Sequence, residues 1–128
     1  MIGYVTIGSN DLPKGAVFYD ALAKELGVGR MMGSLEDGFI AWGEPDGPAG
    51  IGLTKPFDGH AASVGNGMMV ALQASDPAQV DRLYKIALDQ GGTCEGPPGD
   101  RGSGFYAAYF RDLDGNKLNA FCMTGNAA

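Results

Sequence analysis

Residues 105–121 read FYAAYFRDLDGNKLNAF, and this stretch is the most informative part of the sequence for the fold. Two apolar, aromatic-rich runs flank the segment D-L-D-G-N, a pattern that predicts two strands joined by a tight turn. The segment is too short for an EF-hand loop and has no distal Glu. We therefore interpret residues 112–116 as a hairpin turn and not as a calcium site.

A strand and a helix are predicted upstream of this hairpin. Residues 68–74 have the character of a strand, and Asp76 with Pro77 then marks a helix start. Gln79 is spaced for a capping-box contact. The helix has one apolar face and ends at Gly91–Gly92, and the face is formed by Val80, Leu83, Tyr84, Ala87 and Leu88. A short strand at residues 93–96 then leads into the hairpin strands at 105–111 and 117–122.

The N-terminal half repeats the same order. A strand at residues 2–8 precedes a helix start at Asp11–Pro13, and strands follow at 30–34, 39–43 and 50–55. Displaced by about 65 residues, Val5 aligns with Val70, Asp11 with Asp76, Tyr19 with Tyr84 and Gly27 with Gly92. The sequence therefore predicts one α+β domain of two duplicated β-α-β-β-β modules, about 1–56 and 67–124, joined by a Gly-rich connection. We expect their curled mixed sheets to surround a central cleft.

Composition excludes several classes of function. The chain has 128 residues, 45% of them hydrophobic, and a net charge of −6. Without a basic cluster, we expect no nucleic-acid partner. No apolar run approaches the roughly 20 residues of a membrane span, and no signal peptide is recognised, so we expect no membrane and a cytoplasmic location. Cys94 and Cys122 lack metal-ligand spacing, and we expect free thiols in the core.

The two halves also carry a family resemblance. The stretch FYAAYFRDLDGNKLNAF, the opening YVTIGSNDLPKGAVFYDAL with its FYDAL segment, and the duplicated modules together resemble the vicinal-oxygen-chelate superfamily. This superfamily includes glyoxalase I, bleomycin-resistance and fosfomycin-resistance proteins, and extradiol dioxygenases. The resemblance covers essentially the whole chain and implies the fold, whereas the family hosts many chemistries. It also implies a homodimer.

The resemblance implies metal ligands at four places, and this sequence lacks them all. The His position of the first strand falls on Tyr4, the equivalent position in the second half on Met69, and the Glu position after DGN on Asn119. The fourth position lies within residues 50–55, which contain no His, Asp or Glu. Such residues make a poor site for a first-row divalent ion. We therefore expect no catalytic metal and no cofactor.

The same positions predict a ligand-binding cleft. Tyr4, Met69 and Asn119 are expected to line its centre, with Thr6, Gln73 and Phe121 on the same strand faces. If Tyr109 faces the cleft, so do Ala107 and Phe105, by strand alternation. An apolar, aromatic pocket with a few polar groups suits a small aromatic or hydrophobic ligand, and an ordinary buried core is the competing interpretation.

Three further residues are candidates with open alternatives. Arg101 lies in a Gly/Pro-rich loop, where it could clamp an anionic group or remain solvated. Trp42 could stack on an aromatic ligand or pack in the core. His60, the only histidine, is either a solvated loop residue or a general base in a lid.

These features leave three hypotheses of function. The first is a metal-free protein of the bleomycin-resistance type that binds a small molecule without converting it. The second is an enzyme: a glyoxalase-type lyase or extradiol-type dioxygenase with ligands placed elsewhere, or a metal-free isomerase or lyase that uses Tyr109, Tyr4 or His60. The third is a domain that pairs with another protein and has no small ligand.

Overall fold

The structure, a computed structural model, describes residues 1–124 of the chain. Its elements alternate in the order expected from the repeat, and they are β1 (Tyr4–Gly8), α1 (Leu12–Leu26), β2 (Gly29–Ser34), β3 (Phe39–Gly43), β4 (Gly50–Thr54), β5 (Val70–Gln73), α2 (Pro77–Asp89), β6 (Thr93–Asp100), β7 (Phe105–Arg111) and β8 (Lys117–Met123). No helix among these residues is long and apolar enough to cross a bilayer.

The two modules form two mixed four-stranded sheets with the same topology. The strand order is β1-β4-β3-β2 in the first sheet and β5-β8-β7-β6 in the second. In each, the first and last strands of the module pair in parallel, with Val5 opposite Ile51 and Val70 opposite Leu118. A parallel pair needs a crossover, which the helix of each module supplies. The α+β fold predicted from the duplication is confirmed.

Local chemistry explains where the helices begin and end. Asp11 and Asp76 are the N-caps, each accepting a hydrogen bond from a backbone N–H in the first turn. Gly27 ends α1 in the left-handed region at φ +77°. The predicted capping box is displaced by one residue, because the Gln79 side chain accepts from the backbone N–H of Ser75 at 2.8 Å.

Strand β6 is longer than the sequence predicted. The sequence predicted its end at Gly96, before the Gly/Pro-rich segment 97–104, whereas the structure continues it to Asp100. The strand lies at the edge of its sheet, where a missing backbone N–H is tolerated. Its pairing register shifts on either side of Gly96, which accommodates the extra residues as bulges.

One hydrophobic core spans both modules. Helices α1 and α2 pack against each other and against the strands of their own sheets. The residues that meet there include Leu22, Leu53, Leu83, Phe110, Leu118 and Ala120. The two sheets therefore each have one face covered by a helix, and the opposite face is here called the open face.

The D-L-D-G-N turn ties the second module to the first. Asp112 is buried and accepts a hydrogen bond of 2.6 Å from the hydroxyl of Tyr19 on α1. Asn116 donates to the carbonyl of Gly8 at the end of β1 over 2.9 Å. The predicted hairpin turn is thus also a contact between modules.

The two cysteines differ in their environment. Cys122 is buried in the core, and its burial raises the pKa of the thiol. Cys94 is exposed on β6, so the expectation that both thiols lie in the core is wrong for Cys94. An edge strand offers two partly solvated faces, which a pattern of alternating residues does not reveal.

Candidate functional site

Strand alternation on β7 decides which side chains reach the open face of the C-terminal sheet. The hydroxyl of Tyr106 donates to Asp81 of α2 at 2.7 Å, so Tyr106 and its alternate neighbours face the helix. Phe105, Ala107 and Tyr109 therefore point to the open face. Because β7 and β8 are antiparallel, Tyr109 lies opposite Asn119.

One end of this open face is aromatic and apolar. The rings of Phe105 and Phe121 are stacked, with their centroids 5.6 Å apart. Met123 extends the same end of β8 and is 53% exposed. Gln73 of the neighbouring strand lies opposite Phe121 and adds one polar side chain. This end offers an apolar surface for a flat organic group.

The centre of the face holds a buried amide without a full set of partners. Asn119 is 1% exposed, and its Oδ1 atom accepts no hydrogen bond within residues 1–124. Its neighbours across the sheet are Tyr109 on one side and Ala71 on the other. Buried polar atoms are nearly always paired, so this one is an exception that needs a reason.

The other end of the face is basic. The guanidinium of Arg101 and the ammonium of Lys117 each lie 5.5 Å from the centroid of the Tyr109 ring. Arg101 also donates to the carbonyl of Pro97 at 2.6 Å, which holds its side chain over the sheet. Arg101 is thereby brought to Tyr109, although it belongs to the loop that joins two strands.

A cavity of about 430 Å³ adjoins this basic end. Arg111 and Lys117 line it from the sheet, and Met69, which immediately precedes β5, and residues 64–68 line the rest. Arg111 is already engaged, since it pairs with Glu95 at 2.7 Å. Within residues 1–124, Lys117 forms no salt bridge.

The open face of the N-terminal sheet is aromatic in the same way. Tyr4 is 48% exposed and its ring lies 6.0 Å from that of Phe39, measured between centroids. Thr6 shares this face by alternation. The Phe39 ring lies over Gly52, where an added Cβ would come within 2.6 Å of it. The glycine therefore lets the ring lie flat against the sheet.

Trp42 lies on the other side of that sheet. It is 2% exposed, its ring centroid is 5.4 Å from that of Tyr19, and its indole N–H donates to Asp20 at 2.8 Å. The same carboxylate accepts two hydrogen bonds from Arg30, and these lower the pKa of Asp20. Of the two alternatives for Trp42, its position favours core packing over stacking on a ligand at the open face.

The positions to which the family resemblance assigns metal ligands do not fit a metal here. Tyr4, Met69 and Asn119 stand at three of them, and β4 contributes Gly50, Ile51, Gly52, Leu53 and Thr54. Across residues 1–124, no three or more His, Cys, Asp or Glu side chains form a group that could hold a metal ion. A phenol, a thioether and an amide are a poor donor set for a divalent cation.

A second and larger concavity was not foreseen from the sequence. It measures about 780 Å³ and runs between the modules, along β5 and α1. Its lining is mostly apolar and includes Val5, Leu22, Leu26, Ile51 and Leu72, together with three predicted site residues, Trp42, Met69 and Gln73. No signal in the sequence marks it, because it exists only where the two modules meet.

His60 lies apart from these faces in the connection between the modules. It is exposed, and its backbone N–H donates to the Asp58 carboxylate at 2.9 Å. That contact is typical of a polar surface turn. Of the two alternatives for His60, the solvated loop residue agrees better with its position.

Comparison with known proteins gives a consistent result. Residues 1–120 match the family model described as Glyoxalase/Bleomycin resistance protein/Dioxygenase superfamily. A glyoxalase/bleomycin resistance protein from Albidiferax ferrireducens T118 is 37% identical, with a TM-score of 0.86 over 95% of this chain and 98% of that one.

Two more distant structures share the fold. A hypothetical protein of S. aureus is 24% identical, with a TM-score of 0.72 over 93% of this chain and 91% of that one. A family enzyme from Burkholderia phytofirmans PsJN is 17% identical, with a TM-score of 0.74 over 94% and 97% of the two chains. No curated protein matches the chain.

Proposed function

Because this chain belongs to the Glyoxalase/Bleomycin resistance protein/Dioxygenase superfamily, we propose that it binds a small aromatic or hydrophobic molecule on its open sheet faces, without a catalytic metal. The proposal takes Tyr109, Asn119 and Phe121 as its central contacts. Tyr4 and Thr6, on the open face of the first sheet, supply the facing wall when a second copy of the chain covers the cleft.

The buried amide of Asn119 carries this proposal. Its Oδ1 atom is buried and unpaired, and leaving such an acceptor without a donor destabilises the fold by about 1–3 kcal/mol. A ligand that donates a hydroxyl or N–H hydrogen bond there would remove this penalty. The position at the centre of an aromatic face suits one polar group on an otherwise apolar molecule.

The residues at the former metal positions support binding without metal chemistry. The donors at Tyr4, Met69 and Asn119 are neutral, and the β4 stretch adds none. The same atoms are well suited to contact an organic ligand: a phenol ring, a polarisable thioether and an amide.

A second copy of the chain is the proposed partner that closes the cleft. Within residues 1–124 the two modules meet through their helices, and no strand of one sheet pairs with a strand of the other. Large apolar residues remain exposed on the open faces, among them Tyr4, Met69 and Met123. In a two-fold dimer, the first sheet of one copy covers the second sheet of the other, which produces two equivalent clefts.

Titration with 1-naphthol, followed by ¹⁵N-resolved NMR, tests the proposal. We expect saturable shifts at Tyr109, Asn119 and Phe121, and a dissociation constant that does not change with EDTA or with added Zn²⁺. Phe121→Ala should weaken binding by about tenfold, since an aromatic wall contributes on the order of 1–2 kcal/mol.

A matched control is available in the connection between modules. Phe57 is fully exposed, so Phe57→Ala should leave the affinity unchanged. NMR shifts confined to the concavity of about 780 Å³ between the modules, with no effect of Phe121→Ala, would contradict the open face as the site. Stoichiometric, tight Zn²⁺ binding would contradict the metal-free assignment.

A further inference from the structure

We propose that the molecule bound on the C-terminal open face carries a carboxylate, and that Lys117 is the residue that binds it. This inference rests on the proposed function and specifies the chemical class of the ligand. The binding place is the cavity of about 430 Å³ at the basic end of the face.

The first argument is an unmatched positive charge. The chain has a net charge of −6, and the four salt bridges found in residues 1–124 involve Arg30, Arg82, Lys85 and Arg111. Lys117 is half-buried beside the Tyr109 ring and has no carboxylate partner in this part of the chain. A half-buried ammonium beside a cavity is a specific point of attraction for an anion.

The local charge balance favours a single negative charge over a double one. Arg111 also lines the cavity, but Glu95 neutralises it at 2.7 Å. Arg101 also has no salt bridge within residues 1–124, but it does not line the cavity, so Lys117 supplies the one unpaired positive charge among the lining residues. The Glu95 carboxylate would repel a second negative charge on the ligand. A carboxylate matches this balance better than a phosphate dianion does.

The geometry of the open face predicts in which order the other groups of the ligand follow its carboxylate. Along β8, alternate residues present Lys117, then Asn119, then Phe121 to the open face. Residues two apart on a strand are separated by about 7 Å, so the three Cα atoms span about 14 Å. The Lys117 ammonium reaches back toward the centre of the face, since it lies 5.5 Å from the centroid of the Tyr109 ring, and this shortens the distance that a ligand must bridge. A ligand that fits all three has a carboxylate at one end, a hydrogen-bond donor in the middle and an aromatic or apolar group at the other end.

A pair of nearly isosteric ligands tests the charge requirement. We expect 1-naphthoate to bind on the order of tenfold more tightly than neutral 1-naphthamide, as measured by calorimetry on the full chain. Lys117→Met keeps a long apolar side chain and should reduce this preference to near unity. Lys85→Met removes the same charge from the outer surface of α2, where Lys85 pairs with Asp89, and should leave the preference unchanged.

The possible outcomes distinguish a failure of the carboxylate assignment from a failure of the proposed function. Equal affinities for the two ligands in the unmodified protein, or a preference that Lys117→Met does not reduce, would overturn the carboxylate assignment while binding at Phe121 stands. Tighter binding of inorganic phosphate than of 1-naphthoate would also overturn it. If 1-naphthol, 1-naphthoate and 1-naphthamide all leave the signals of Tyr109 and Phe121 unshifted, the proposed function fails as well.

Discussion

Two buried asparagines, three positions apart in sequence, have opposite effects on stability. Asn116 is 3% exposed and donates both to the carbonyl of Gly8 and to Asp112. Asn119 is 1% exposed, and its Oδ1 atom is unpaired. The first stabilises the fold, whereas the second is held at a cost to stability, as expected at a binding position.

Substitution by leucine should separate these two roles. Asn119→Leu replaces an unpaired amide by an apolar group of similar size, so we expect the free energy of unfolding to rise by about 1 kcal/mol. Asn116→Leu removes two satisfied hydrogen bonds and should lower it by about 2–3 kcal/mol. Urea denaturation measures both changes. A loss of stability in Asn119→Leu as large as in Asn116→Leu would contradict the assignment.

Tyr19 leads to a prediction about alkaline stability. Its burial, and then the charge and hydrogen bond of Asp112, raise the pKa of the phenol well above its ordinary value of 10.0. Above pH 10 the unfolded chain loses this proton and the folded chain keeps it. The free energy of unfolding therefore decreases as pH rises, by up to about 1.4 kcal/mol per pH unit for this group.

Tyr19→Phe isolates this contribution. The variant should be less stable at pH 8 by about 1–2 kcal/mol, because the hydrogen bond to Asp112 is lost. Between pH 10 and pH 11 its stability should fall less steeply than that of the unmodified chain, as judged from urea midpoints. Parallel pH profiles for the two proteins would show that Tyr19 does not titrate differently in the folded state.

At the scale of elements, the helices followed from sequence more closely than strand β6 did. The helix ends are marked by local signals in the sequence. Asp11 and Asp76 cap the N-termini of α1 and α2, and Gly27 ends α1. Strand β6 was predicted too short, because the tolerance of Pro97 and Pro98 depends on an edge position that only the assembled sheet defines.

The turn at residues 112–116 carries a prediction at this scale. Asp112 accepts hydrogen bonds from Tyr19, from the side chain of Asn116 and from two backbone N–H groups of the turn. Asp114 accepts one, from the backbone of Asn10. We expect Asp112→Ala to lower the free energy of unfolding by about 3 kcal/mol or more, and Asp114→Ala by about 1 kcal/mol.

Chemical denaturation of the two variants compares these contributions directly. Both substitutions remove one carboxylate from the same five-residue turn, so Asp114→Ala serves as the charge control for Asp112→Ala. Similar losses in the two variants would mean that the internal bonds of the turn, and its link to Tyr19, add little to stability.

At the scale of the whole molecule, the duplication produces one open face on each module, and the proposed dimer covers both. We expect sedimentation equilibrium to show a dimer. Tyr4→Lys should shift it toward monomer, because an exposed aromatic residue at the proposed interface is replaced by a charge.

A surface control keeps this prediction specific. Val17 is 56% exposed on α1, away from both open faces, and Val17→Lys should leave the dimer intact. A monomeric unmodified chain, or equal effects of the two substitutions, would contradict a dimer built on the open faces.

The sequence alone determined the elements of this protein, its internal repeat and the absence of metal-type donors at Tyr4, Met69 and Asn119. These properties depend on residue identity and on local periodicity, which are written in the order of the chain. It also predicted that Phe105, Ala107 and Tyr109 share one face of β7, since alternation is a property of a single strand.

Tertiary structure decided the chemistry around those positions. That Asn119 lacks a partner, that Lys117 and Arg101 meet at the Tyr109 ring, and that Trp42 bonds to Asp20 all depend on which strands and helices pack together. Whether a buried polar atom is satisfied, or a charge is matched, is determined by neighbours distant in sequence. No local pattern records them.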